Sequence, residues 1–165
     1  MFVLDLLRFI VGIIILSIGA YTDLKYREAS NKLWVILGTV AGIILVIDFY
    51  QNGINPLKIF LMIFMIILAY VLFQLHVIGG ADAKAIMCLS ILIPFFVFDV
   101  LFISCIVSLL FVPVIVLFKR ISFKEVMVGY SFPFLVSILL GFILSFILSG
   151  FWSFSLLYRF VLFFS

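Results

Sequence analysis

Six stretches of this chain, about 2–20, 33–47, 57–78, 83–98, 100–118 and 126–149, are almost wholly apolar and are divided by short polar or turn-forming segments. A helix rises about 1.5 Å per residue and the hydrocarbon layer of a bilayer is about 30 Å thick, so one span uses about 20 residues. Six spans use about 120 of the 165 residues and leave only short connections and a tail, with no room for a separate soluble domain. Composition agrees: 68% of the residues are apolar, 10% are charged and the mean hydropathy is +1.56, far from the soluble globular range. The expectation is an all-α polytopic membrane protein, a single unit over residues 1–165 with six transmembrane helices.

The divisions between runs sharpen this reading. The fourth and fifth runs are separated only by the segment from Pro94 to Asp99. Joined, they would overspan a bilayer, so a tight turn is expected there. Residues 48–56, DFYQNGINP, carry Asn-Gly and Asn-Pro punctuation and read as a loop. The first twenty residues hold Asp5 and Arg8, lack a basic n-region and run into Tyr21-Thr22-Asp23, so they read as a retained helix and not as a cleaved signal. The tail 151–165, with Trp152, Tyr158 and Arg159, extends the sixth helix or lies in the interface.

Charge gives orientation. The loops after the first, third and fifth runs hold Lys25, Arg27, Lys32, Lys84, Lys119, Arg120 and Lys124, seven of the ten basic residues; the other side has Arg8, Lys58 and Arg159. The positive-inside rule makes the richer side cytoplasmic and places both termini outside. Basic residues scattered singly among apolar runs form no nucleic-acid face. Cys88 and Cys105 lie inside apolar runs without CxxC or Cys/His spacing and read as packing residues, so no metal site is expected. No nucleotide loop, HExxH pair or serine elbow is present, and no cofactor is expected.

Two acids on the cytoplasmic side stand out. Asp23 lies where the first run leaves the membrane, in YTDLKYREASN, and Asp82 where the fourth run enters it, in GGADAK. Carboxylates near an interface can be partly dehydrated at less cost than at mid-span. Two brought close together cannot both ionise cheaply, so the pair holds one proton and can serve as acid and base in activating water against a peptide carbonyl. Gly79-Gly80 is expected to let the chain turn sharply and another backbone approach. Helix dipoles favour the ionised form at Asp82 and the protonated form at Asp23. Taken singly, each aspartate also reads as a helix cap or a solvated loop acid, and the glycine pair as a plain turn. His76 reads as an interfacial histidine, Lys124 and Glu125 as loop charges, and the phenylalanines as packing or lipid-facing residues.

GGADAK resembles the GxGD signature of type IV prepilin peptidases and archaeal preflagellin peptidases, a family of aspartic membrane proteases. DLKYREASN is similar to that family's first-aspartate motif, with Asp23, Arg27 and Asn31 in step. Ala81 stands for the second glycine, as in the Gly-Gly-Ala-Asp form associated with archaeal members, and Ala29-Ser30 stands for Ile-Pro. GYSFPFLVSILLG, with Pro133-Phe134 and Gly141, is a weaker echo of the last family helix. The resemblance implies that Asp23 and Asp82 are the catalytic pair, that Gly79, Gly80 and Lys84 support the site, and that Arg27 and Asn31 order the loop after the first helix. The implied substrates are prepilin-like or preflagellin precursors, each with a short basic leader in the cytoplasm ahead of an apolar helix, and Glu28 is a candidate contact for the leader. Bacterial relatives that also N-methylate carry an extra cytoplasmic segment not seen here, so methylation is not expected. The alternative is a non-catalytic membrane protein, such as an assembly factor or transporter subunit, or an inactive family member.

Overall fold

The computed structural model describes residues 2–26, 30–119 and 134–152. Among them are six helices and no strands: α1 (Phe2–Tyr26), α2 (Asn31–Asn52), α3 (Pro56–Gln74), α4 (Gly80–Leu92), α5 (Val97–Lys119) and α6 (Phe134–Trp152). Three of them contain stretches long and apolar enough to cross a membrane, Leu4–Tyr26, Asn31–Asn52 and Pro56–Gln74. The tail beyond Trp152, residues 126–133 of the sixth run and Arg27 lie outside the described residues.

Local chemistry sets the helix ends. Ser30 caps α2, its side chain accepting from the Lys32 amide at 3.4 Å. Asn55 caps α3 by accepting from the Leu57 amide at 3.0 Å, and Pro56 follows at the position where its missing N–H costs nothing. α3 closes with a Schellman pattern: Val77 N–H donates to Leu72 O at 3.0 Å and His76 N–H to Phe73 O at 3.0 Å. The left-handed residue this motif needs is His76, with φ 57°. Glycine normally takes that place because a Cβ is disfavoured there. Replacing His76 by Gly should therefore raise the stability of the detergent-solubilised protein by about 1 kcal/mol, and Val there should lower it by more, both read by thermal melting.

α4 is central. Ala83, Ala85, Ile86, Cys88, Leu89, Ser90 and Leu92 are buried, and the helix packs mainly between α2 and α3 while also touching α1, α5 and α6. Small residues early in α4 allow this enclosure. It ends at Leu92, and the turn through Pro94 leads into α5 at Val97, so the expected tight turn is present, although Asp99 belongs to the first turn of α5. α1 runs six residues past the expected end at Ala20, so Asp23 is helical.

α5 and α6 approach closely at Gly141. A Cβ there would stand 2.7 Å from the Val100 carbonyl and would also overlap the Ser104 hydroxyl. Ser104 is buried and satisfies itself by donating to Val100 O at 2.5 Å. A backbone carbonyl cannot swing aside, so Gly141→Val should force the two helices apart and cost about 1–3 kcal/mol, seen as a lower melting temperature and a loss of monodispersity on gel filtration.

At the end of the bundle opposite Asp23, charged residues meet in the interior. Asp48, 4% exposed, takes Arg8 Nη2 from α1 at 2.8 Å, Lys58 from α3, and the Asn52 amide at 2.8 Å. Arg8 also pairs with Asp5 at 2.8 Å. Lys58 lies over the rings of Phe49 and Phe95, 5.9 and 6.0 Å from their centroids. Two of the three basic residues on this side are thus neutralised within the fold, which deepens the charge asymmetry seen in the sequence.

Candidate active site

The residues singled out by sequence gather at one end of the bundle. Asp23 lies in the last turn of α1. Asp82 is the third residue of α4, whose N-cap is Gly79. Both side chains are half-buried.

The Asp82 carboxylate accepts from the Gly79 backbone N–H, half of a capping box, while Ala83 N–H donates to Gly79 O at 3.0 Å to start the helix. Asp82 is therefore a helix cap as well as a candidate acid. Gly79 has ordinary extended angles, φ −68° and ψ 155°, so it is not there for a left-handed turn. It is there for space: a Cβ would stand 3.0 Å from Asp82 Oδ2 and press on the carboxylate. At Gly80 a Cβ would come 3.3 Å from the Phe73 ring of α3. The sharp reversal expected at the glycine pair is made earlier, at His76, whose imidazole is exposed.

Asp82 stands ahead of the apolar part of α4, and its proton affinity is raised to about 7, first by burial and then by the charge of Asp23; the Gly79 amide opposes this only in part. The dipole argument favoured an ionised Asp82. Desolvation and a like charge outweigh the half-charge of a helix end, so Asp82 holds a proton more tightly than an ordinary carboxyl.

Lys84, two residues further along α4, donates from Nζ to Asn31 Oδ1 at 2.6 Å, tying the start of α4 to the start of α2. Asn31, Lys84, Gly79, Gly80 and the two acids thus share one end, with Arg27 outside the described residues. Among the described residues no group of three His, Cys, Asp or Glu side chains could hold a metal ion. Sequence reading passed over Trp34, three residues after Asn31, and Gly19, four before Asp23, which meet across α1 and α2. One-turn spacing from the candidate residues was the available signal. The arrangement as a whole offers one carboxylate that holds a proton near neutrality and a second that influences it, both partly shielded from water.

Comparison with known proteins follows this geometry. Over 100 residues the chain is 29% identical to the preflagellin peptidase of Methanococcus voltae, a match covering 58% of this chain and 42% of that relative. The matched part is thus less than half of the relative's length. No solved structure matches the chain. The model of the type IV leader peptidase family aligns with residues 10–113, a segment that contains Asp23, Arg27, Asn31, Gly79, Gly80, Asp82 and Lys84. With well over half its length matched, the chain belongs to the type IV leader peptidase family.

Proposed function

We propose that this protein is a membrane-embedded aspartic endopeptidase that removes short basic leaders from type IV prepilin-like or preflagellin precursors at the cytoplasmic face of the cell membrane. One observation carries the reading: Asp23 and Asp82, far apart in sequence, act on each other electrostatically at one end of the helix bundle. Six spans, with both termini outside and the seven-residue basic side within the cytoplasm, put that end where a leader would be presented.

In this reading Asp23 enters the reaction ionised and Asp82 protonated. Asp23 takes a proton from water as the oxygen attacks the scissile carbonyl, while Asp82 donates its proton to the carbonyl oxygen. Collapse of the tetrahedral intermediate breaks the C–N bond: the proton gained by Asp23 passes to the departing amine, and Asp82 takes back a proton from a hydroxyl of the intermediate, which leaves as the carboxylic acid. Gly79 and Gly80 keep side chains away from Asp82, and Lys84 with Asn31 fixes α4 against α2. The apolar helix of the precursor stays in the lipid, and cleavage falls at its junction with the leader. The relative's name, a preflagellin peptidase, supports the same substrate class.

The test is cleavage of a leader-bearing precursor by the purified protein in detergent, followed by mass. Cleavage at the leader junction is expected, with a bell-shaped kcat/KM that falls about tenfold per pH unit above about 7, as Asp82 loses its proton and the pair its acid, and falls again in acid as Asp23 takes one up and the pair loses its base. Absence of cleavage across the pH range would refute the peptidase reading.

A further inference from the structure

Trp34 lies one turn into α2 from Asn31 and is 4% exposed. Its ring rests on α1 at Gly19, where a Cβ would stand 3.3 Å from Cη2 and 3.7 Å from Cζ2. In an indole, Cζ2 and Nε1 are bonded to the same ring-fusion carbon, so the edge turned toward Gly19 adjoins the N–H. The Trp34 carbonyl accepts from the Cys88 thiol of α4 at 3.4 Å, so the residue sits where α1, α2 and α4 meet. Gly19 is one turn before Asp23, so the indole meets α1 about one turn below the level of Asp23.

Nε1 is buried and has no hydrogen-bond partner. An indole N–H is a donor only and is costly to leave unsatisfied away from water. Gly19 O, on the helix the ring rests against, already accepts from the Thr22 hydroxyl at 2.9 Å besides its helical bond, which uses both lone pairs. A buried donor with no acceptor among the described residues matches a ligand that brings one.

We infer that Trp34 Nε1–H donates to a backbone carbonyl of the bound precursor, one or two residues to the membrane side of the bond that is cut; this rests on the peptidase reading. For water to attack a peptide carbonyl, the precursor helix has to unwind there, and each carbonyl freed at membrane depth lacks water to bond to. One helical turn separates the level of Gly19 from that of Asp23, about 5.4 Å, and an extended chain covers that distance in one to two residues. The indole thus holds the unwound strand just beyond the acids, and the pairing favours segments that leave the helical state.

The experiment uses the full chain in detergent, with its tryptophan indoles labelled with nitrogen-15. An Asp82→Asn background prevents turnover, and Trp152→Phe leaves Trp34 as the only indole, the sequence having two tryptophans. Titration with a fluorescent leader-bearing precursor peptide should move the Trp34 Nε1–H resonance downfield as anisotropy reports binding. In the otherwise native enzyme, Trp34→Phe should raise KM about tenfold with kcat and melting temperature near wild type, a split that a purely structural role would not give. Saturated binding with an unmoved resonance, or a wild-type KM in Trp34→Phe, overturns the inference while leaving the peptidase reading intact. Failure of the wild-type chain to cleave that peptide overturns both.

Discussion

Asp82→Asn and Asp23→Asn are each expected to abolish leader removal, lowering the cleavage rate by about 10⁴-fold, the upper end of what a positioned acid or base contributes. Asparagine keeps the size and the acceptor oxygen of aspartate, so at Asp82 the bond from the Gly79 amide survives and α4 keeps its cap. What disappears is a proton to give or a lone pair basic enough to take one. Because the two groups act as a unit, the double variant should be no slower than either single one, a non-additivity that separates shared chemistry from two independent contributions to packing. Both variants should remain in the membrane fraction with wild-type melting temperatures; Asp82→Asn should even gain a little near neutral pH, since it removes a half-buried carboxyl from the field of Asp23. Co-expression with a precursor and a gel shift suffice to measure this. Leader removal persisting in either variant would rule out the pair as its agents.

The second large effect is expected at the other end of the bundle. Asp48→Ala should destabilise the protein by about 3–5 kcal/mol, because it leaves Arg8 and Lys58 in the interior with their shared counter-charge gone. The loss should show as a sharp fall in melting temperature and in yield from the membrane. Replacing all three by apolar residues, Arg8→Leu, Asp48→Leu and Lys58→Met, should recover most of that stability, since the desolvation cost of the charges is removed together with their attraction. An unaltered melting temperature in Asp48→Ala would show that the three groups are held by solvent or lipid and not by one another. Arg8 and Asp23 sit on the same helix, fifteen residues or about 22 Å apart, so the ion pairs also fix the level at which α1 carries its acid.

Much of this was open to reading along the chain. Asp23 and Asp82 declared themselves by being acids at the ends of apolar runs, where a charge has to have a reason, and the motifs around them pointed to the family that the comparison then established. Asn31 and Lys84 were named as supports, and they bond to each other. The glycines were named for a turn, but a backbone angle is not written in residue type alone: His76 accepts the left-handed angle, leaving Gly79 to make room for a carboxylate. The ionised form assigned to Asp82 from its helix end did not hold, because burial and the neighbouring charge are tertiary quantities, and together they exceed a dipole's share. Asp48 read as a loop residue, since nothing local announces that Arg8 and Lys58 will converge on it.

The sequence by itself determined that the chain is helical and apolar, which residues are the candidates for its chemistry and which end of each run they occupy, because bilayer thickness and charge cost act on single segments. Tertiary structure decided that Asp82 holds its proton tightly, where the chain reverses, how closely α5 meets α6, and that an indole N–H lies buried and unpaired beside α1. Those are properties of pairs of groups brought together by packing, and no single segment contains both members.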